Sequence, residues 1–109
     1  MNNSLDNIFS LKGKVIVITG ACGLLGKRHA EAIAAFGGIP IILDLVQKDI
    51  DLLVEQIKSK YGVNSLGVCA DISNEKQVAK SADWIIKKYG KIDGLVNNAA
   101  NNPKVESID

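Results

Sequence analysis

Residues 15–26 read Val-Ile-Val-Ile-Thr-Gly-Ala-Cys-Gly-Leu-Leu-Gly, and this stretch decides the fold. Its first four residues are apolar and β-branched, which is typical of a short strand buried on both faces of a sheet. Glycines spaced three apart then lead into a helical pattern, because the side chains that share one stripe are those of Leu25, His29, Ile33 and Phe36. We therefore predict a strand, a glycine turn and a helix in direct succession.

The alternation of strand and helix continues along the chain. Apolar runs at 39–43, 66–70 and 92–96 predict three more strands. A helix from about Lys48 has the apolar stripe Ile50, Leu53, Val54, Ile57 and Tyr61, and a later one has Val78, Ala82, Ile85 and Tyr89. We expect these helices to stop at Gly62 and Gly90, and Ser73 or Asn74 to cap the last one.

The order βαβαβαβ predicts a parallel sheet with crossover helices. Right-handed crossovers place the first two helices on one face and the third on the other, with the strands in the order 3-2-1-4. The strand order then reverses beside the first strand, where an open parallel sheet leaves a crevice for a ligand. The predicted fold is thus an α/β, doubly wound parallel sheet.

Composition excludes several classes of protein. The 109 residues are 47% hydrophobic and 23% charged with a net charge of +1, as in a globular domain without a basic surface for nucleic acid or anionic membrane. No apolar run approaches the roughly 18 residues that span a bilayer. Two cysteines without a signal peptide or framework spacing indicate a reducing cytoplasm.

The glycines at 20, 23 and 26 have the spacing of a phosphate-binding turn. Such a turn needs residues without a Cβ where the chain bends, where it approaches the ligand and where the helix meets the strand. The helix that follows directs its free N–H groups and positive dipole end at a diphosphate. A tight structural turn is the alternative interpretation.

Asp44 ends the second apolar run, about twenty residues beyond the turn, where an acid accepts hydrogen bonds from an adenosine ribose. A 2′-phosphate would be repelled there by about 4 kcal/mol per charge pair at 4 Å. Cys22 and Leu45 provide no compensating positive charge. We therefore expect NAD rather than NADP, with a surface acid at a strand end as the alternative.

Polar residues also follow the third and fourth strands. Asp71, with Ile72, can reach an adenine amino group, but Asp71 can equally cap the third helix. We expect the amide of Asn97 to be buried and to cross-link the sheet backbone, since a buried amide must be paired. Ala99 and Ala100 are small enough for the nicotinamide half of a dinucleotide to lie close to the chain. For His29 and Cys22 packing is the favoured role, and no metal site is expected.

From about Lys12 to Pro103 the sequence resembles the short-chain dehydrogenases/reductases. The resemblance rests on Lys-Gly-Lys-Val-Ile-Val-Ile-Thr-Gly at 12–20, on Asp44, on Asp71-Ile72 and on Asn-Asn-Ala-Ala at 97–100. It implies a Rossmann-type NAD(P)-binding domain. It also implies a diphosphate site lined by Gly20, Cys22, Leu25 and Gly26, an adenosine site at Asp44, Asp71 and Ile72, and a nicotinamide side at Asn98, Ala99 and Ala100.

The sequence departs from the family pattern in the glycine turn. Leu24 stands where the short form has its middle glycine, and Gly23 precedes it, a spacing commoner in extended-type sugar-nucleotide epimerases and dehydratases. The Asn97-Asn98 pair favours the short form. The continuation at 101–104 resembles a subgroup that modifies bacterial flagellin or surface sugars.

The larger departure concerns catalysis. The family uses a Ser and a Tyr-x-x-x-Lys pair, in which Lys lowers the pKa of the Tyr that acts as base. Here Tyr61 is followed four residues on by Ser65, and Tyr89 by Asp93, so no residue is assigned to catalysis.

We therefore interpret residues 1–109 as the N-terminal, cofactor-binding half of a cytoplasmic, homo-oligomeric oxidoreductase that acts on a small molecule. On this interpretation the chain is truncated, lacks the catalytic part and is inactive alone. An NAD-sensing module without catalytic activity is the non-enzymatic alternative.

Overall fold

The computed structural model describes residues 9–98, in which four strands alternate with three helices. The elements are β1 (Val15–Thr19), α1 (Leu24–Ala35), β2 (Ile39–Asp44), α2 (Gln47–Tyr61), β3 (Leu66–Cys69), α3 (Glu75–Tyr89) and β4 (Gly94–Asn97). All seven predicted elements are present, with ends within about two residues of the predicted ones.

The strands form one parallel sheet in the order β3-β2-β1-β4, which confirms the predicted topology. In its register Val17 of β1 lies between Ile41 of β2 and Leu95 of β4. The strand order therefore reverses at β1: β2 and β3 are added on one side of it and β4 on the other. The carboxyl ends of β1 and β4 are neighbours.

Helices cover both faces of the sheet, as the right-handed crossovers predict. Side chains of α1 and α2 pack with Ile18 and Ile42 in one core. Ile85 of α3 packs with Val17 and Ile41 in a second core on the opposite face. The two central strands, β1 and β2, are buried on both sides, which explains why their sequences are continuously apolar.

The helix ends follow local chemistry. Gly62 and Gly90 end α2 and α3 in the left-handed conformation, which glycine adopts without strain. Of the two predicted caps for α3, the structure selects Asn74, whose side chain accepts a hydrogen bond from the N–H of Gln77 at 3.1 Å.

The face of α1 that is buried is not the stripe of large apolar residues that the sequence pattern predicts. Leu25 and Phe36 are exposed, and the buried residues are Gly26, Ala30, Ile33 and Ala34. The helix lies so close to β1 and its turn that small residues must face the sheet. The stripe is therefore shifted toward the small side chains.

Side chains of the last strand region hold β4 to β1 at both ends. Asp93 accepts a hydrogen bond from the N–H of Val15 at 2.7 Å, which, with its bond to Lys91, lowers the pKa of its carboxyl group. At the other end the Asn97 side chain accepts from the Thr19 hydroxyl at 2.9 Å. The prediction that Asn97 is buried and bonded to the backbone was wrong, because its partner is a side chain on β1 and the residue lies on an uncovered part of the sheet.

No helix among residues 9–98 combines the length and apolar character that a membrane span requires.

Candidate functional site

A cleft of about 640 Å³ lies at the carboxyl ends of the strands, beside the point where the strand order reverses. Residues from the ends of all four strands contribute to it. Its lining consists of Gly20, Cys22, Gly23, Leu43, Asp44, Leu45, Asp49, Ala70, Asp71, Ile72, Ser73 and Asn98. The fold therefore brings seven of the sequence-predicted site residues, from four separate motifs, into one cavity.

The glycine turn depends on close backbone contacts. Gly20 has a φ of 63°, in the left-handed region that favours glycine. A Cβ on Gly26 would overlap the carbonyl oxygen of Gly20 and the backbone of Ala21. Gly26 therefore allows α1 to begin directly beneath the turn, and it is buried there rather than lining the cleft.

The amino-terminal end of α1 is open. Its N-cap is Gly23, which provides no side-chain cap, and its first turn contains no acidic residue. By contrast, α2 has Asp49 in its first turn, and α3 has the Asn74 cap and Glu75. Because the first N–H groups of a helix have no partners within it, this end of α1 can bind an anion.

Asp44 joins the end of β2 to the glycine turn. One carboxylate oxygen accepts from the N–H of Cys22 at 2.8 Å, and the other from the N–H of Leu45 at 2.7 Å. Each oxygen keeps further acceptor capacity, so the carboxylate can still receive ribose hydroxyl groups.

The Cys22 thiol is not activated by the nearby helix end. Burial, followed by the neighbouring Asp44 carboxylate, raises the pKa of Cys22 from 9.0 to about 11. The thiol therefore stays protonated at neutral pH, which agrees with a packing role rather than a nucleophilic one.

Asp71 organises the turn that leads into α3. Its carboxylate accepts from the N–H and the hydroxyl of Ser73, at 2.9 and 2.7 Å, and these bonds lower the pKa of Asp71. The cap of α3 is Asn74, so Asp71 does not fill that alternative role. Asp71 and Ile72 line the cleft beyond Asp44, and their contact with adenine stays a prediction.

Asn98 directly follows the last residue of β4 and lines the cleft. Its N–H donates to the Thr19 carbonyl oxygen at 3.2 Å. Its side-chain nitrogen is buried and has no hydrogen-bond partner in the described part of the chain. Ala99 and Ala100, also predicted to bind the dinucleotide, lie outside the described residues.

Sequence reasoning missed some lining residues, chiefly Asp49. This acid lies in the first turn of α2, directly after the strand that ends in Asp44, and that position was the available signal. Leu25 was predicted to line the site but is exposed and is not part of the cleft lining. Among residues 9–98, no three His, Cys, Asp or Glu side chains are grouped so that they could hold a metal ion.

Comparison with known proteins agrees with this geometry. The family described as short chain dehydrogenase matches residues 14–109, which is nearly the whole chain. The match includes the glycine turn, Asp44, Asp71 and the Asn97-Asn98 pair.

Two relatives show the range of the family. A tropinone reductase-like protein of Erythroxylum coca is 37% identical over 89% of this chain and 37% of its own length. The post-translational flagellin modification protein A of Campylobacter coli is 30% identical over 82% of this chain and 35% of its own length. The chain therefore spans little more than a third of either relative.

Solved structures share the fold and carry different cofactors. The L-sorbose reductase of Gluconobacter frateurii, solved with NADPH and L-sorbose, has a TM-score of 0.81 and 29% identity over 85% of this chain and 35% of its own. A xylitol dehydrogenase bound to NAD⁺ has a TM-score of 0.74 and 28% identity over 78% of this chain and 32% of its own.

Proposed function

Because the chain belongs to the short-chain dehydrogenase family, we propose that it forms the dinucleotide-binding half of an NAD-dependent oxidoreductase. The observation that carries this proposal is the cleft in which the uncapped start of α1 lies beside Asp44. An open helix end suits a diphosphate, and a carboxylate at the end of β2 suits a ribose diol.

In this proposal each part of the dinucleotide has its own residues. Gly20, Cys22 and Gly23 of the glycine turn lie along the diphosphate, and Asp44 accepts from the adenosine ribose. Asp71 and Ile72 lie at the adenine. Asn98, Ala99 and Ala100 lie toward the nicotinamide, and the place of Asn98 in the cleft lining supports this.

Charge supports NAD over NADP. Three carboxylates line the cleft, those of Asp44, Asp49 and Asp71, and none of the described lining residues is Lys or Arg. A 2′-phosphate near Asp44 would meet repulsion without a compensating cation. Family membership alone does not decide this preference, since structural relatives bind NADPH in one case and NAD⁺ in another.

The bound cofactor would supply a hydride acceptor or donor for an alcohol or ketone carbon. The described residues would hold that cofactor and keep its diphosphate and adenosine fixed. Among residues 9–98, no group of three His, Cys, Asp or Glu side chains could hold a metal ion. The substrate is a small molecule, and the enzyme is a cytoplasmic homo-oligomer in this proposal.

The family match favours the short form over the extended epimerase form, as the Asn97-Asn98 pair does. The flagellin modification protein among the relatives agrees with the subgroup that residues 101–104 resemble, and that subgroup stays a prediction.

Calorimetric titration of the full-length protein with NAD and NADP tests the proposal. We expect NAD to bind at least about tenfold more tightly than NADP, and Asp44→Ala to remove most of this preference. Asp83→Ala is the control, since Asp83 is an exposed acid of α3 outside the cleft lining. Tighter binding of NADP, or an Asp44→Ala protein with unchanged NAD affinity, would contradict the proposal.

A further inference from the structure

The turn that follows β1 is held to β2 mainly by a side chain. Two N–H groups of the turn reach β2: that of Ala21 bonds the Leu43 carbonyl oxygen at a long 3.4 Å, and that of Cys22 bonds the Asp44 carboxylate at 2.8 Å. A third, from Gly23, bonds within the turn to Gly20 at 3.1 Å. The shortest connection between turn and neighbouring strand is therefore made by the side chain of Asp44.

This connection affects where the helix end points. The N–H of Cys22 already has an acceptor, the Asp44 carboxylate at the end of β2, so this N–H is directed at Asp44. The chain then enters α1 one residue later, through Gly23, whose backbone is extended. The position of Cys22 thus helps to set the direction in which the free N–H groups of the first turn of α1 face.

Asp44 is itself well fixed. Its second carboxylate oxygen accepts from the N–H of Leu45 at 2.7 Å, and its own carbonyl oxygen accepts from the N–H of Ala70 at 2.9 Å. Because the second carboxylate oxygen and the main chain are bonded to groups outside the turn, the side chain has little freedom to follow a displaced turn. It can serve as a fixed point against which the turn is positioned.

We propose that Asp44 is a positioning residue for the diphosphate-binding turn, in addition to its role as acceptor for the adenosine ribose. This inference rests on the proposed function, because it assigns a second task to a residue of that same site. The two tasks use different properties of the side chain. The ribose role favours a charged carboxylate, whereas holding the Cys22 N–H needs only an acceptor oxygen in the right place.

A ligand without ribose hydroxyl groups separates the two tasks. 2′,3′-Dideoxyadenosine 5′-diphosphate keeps the adenine and the diphosphate but has no ribose hydroxyl group that could donate a hydrogen bond to Asp44. If Asp44 only binds ribose, its removal leaves the affinity for this ligand unchanged or raises it, since a negative charge near an anion is lost. If Asp44 positions the turn, its removal lowers that affinity.

Calorimetric titration of the full-length protein with this ligand is the test. We expect Asp44→Ala to bind it about tenfold more weakly than the wild type, as for loss of a hydrogen bond to a charged group. We expect Asp44→Asn, which keeps an acceptor oxygen, to restore the affinity to within about threefold of the wild type. Asp49→Ala is the matched control, because Asp49 carries the same charge in the same cleft but makes no hydrogen bond to the turn among residues 9–98, and this variant should bind the ligand more tightly.

The outcomes are distinct. Wild-type affinity for the dideoxy ligand in Asp44→Ala overturns the positioning role, and so does an Asp44→Asn protein that is folded yet binds as weakly as Asp44→Ala. In both cases NAD binding by the wild type leaves the proposed function standing. A wild type that binds neither NAD nor the dideoxy ligand contradicts the proposed function itself, and the positioning role falls with it.

Discussion

Gly26 sets how closely the first helix approaches the first strand. The space that a Cβ would need is filled by the backbone of Gly20 and Ala21, neither of which can move without moving the turn. A methyl group is therefore incompatible with the position of α1, although alanine is the best helix former. At this residue the packing of the site overrides helix propensity.

We expect Gly26→Ala to lower the free energy of unfolding by about 1–3 kcal/mol, the usual effect of overpacking, and to weaken NAD binding as the turn shifts. Urea denaturation followed by circular dichroism measures the first effect and calorimetry the second. Gly23→Ala is the matched control, since a Cβ there would make only an ordinary 3.4 Å contact with Gly20. It should lower stability by at most about 1 kcal/mol. Equal stability of Gly26→Ala and the wild type would refute the close-contact explanation.

Individual site residues were predictable where a motif fixes their spacing. The spacing of Gly20, Gly23 and Asp44 predicts that they lie together, and the structure has all three in the cleft lining, whereas their contact with phosphate and ribose stays a prediction. The sequence left Asp71 between an adenine contact and a cap of the third helix, because the cap depends on which of Asp71, Ser73 and Asn74 reaches the N–H groups of that helix. The bond between Asp44 and the Cys22 N–H was not expected, since backbone direction in a turn cannot be read from residue types.

At the scale of elements, α3 shows how local polar chemistry fixes the start of a helix. Asn74 bonds the N–H of Gln77, while Ser73 and Asp71 form a separate turn just before it. The Gln77 side chain in turn accepts from the N–H of Asp71 at 2.8 Å. The cap and the turn beside the cleft are therefore linked.

Asn74→Ala should lower the free energy of unfolding by about 1 kcal/mol, because one N–H at the start of α3 loses its acceptor. Ser73→Ala leaves the cap intact and should have less than half of this effect. Thermal and urea denaturation of the two variants decide between them. If Ser73→Ala lowers the free energy of unfolding more than Asn74→Ala does, Asn74 is not the residue that caps α3.

The elements themselves were largely predictable, and α1 shows why some details were not. Continuous apolar runs identify β1 and β2, and glycines mark the ends of α2 and α3. The buried side of α1 was not evident, because a pattern of large apolar residues gives weight to Leu25 and Phe36. The surface that packs on the sheet consists instead of small residues such as Ala30 and Ala34. Such a face becomes visible only when the distance between helix and sheet is known.

At the scale of the whole molecule, apolar side chains remain uncovered near the β4 edge and on α3. Leu95 points to the same face as Val17, its partner in the sheet, yet is 64% exposed. Trp84 and Ile86 of α3 are also exposed, at 49% and 42%. Uncovered strand edges and apolar patches favour association.

We expect the 109-residue chain to self-associate at micromolar concentrations, with Leu95 in the contact. Sedimentation velocity over a range of concentrations measures this. Leu95→Lys should shift the distribution toward monomer, whereas Leu52→Lys, which changes an exposed leucine of α2 on the opposite face, should not. A cooperatively folded wild-type monomer at these concentrations would show that the face does not drive association.

The central position of β1 also has a consequence for how the chain folds during synthesis. One neighbour of β1 is β2, which follows after a single helix, but the other is β4, whose contacts join Val15 to Asp93 and Thr19 to Asn97, each pair 78 residues apart. Pairing over such a separation is slow, because the loop must close before any contact forms. On the ribosome, β1 can pair with β2 and α1 can pack long before β4 has emerged. The side of the crevice that Asn98 forms is therefore completed after the sides formed by β1, β2 and β3, and a nascent chain should gain the proposed contacts on the nicotinamide side only when β4 has joined the sheet.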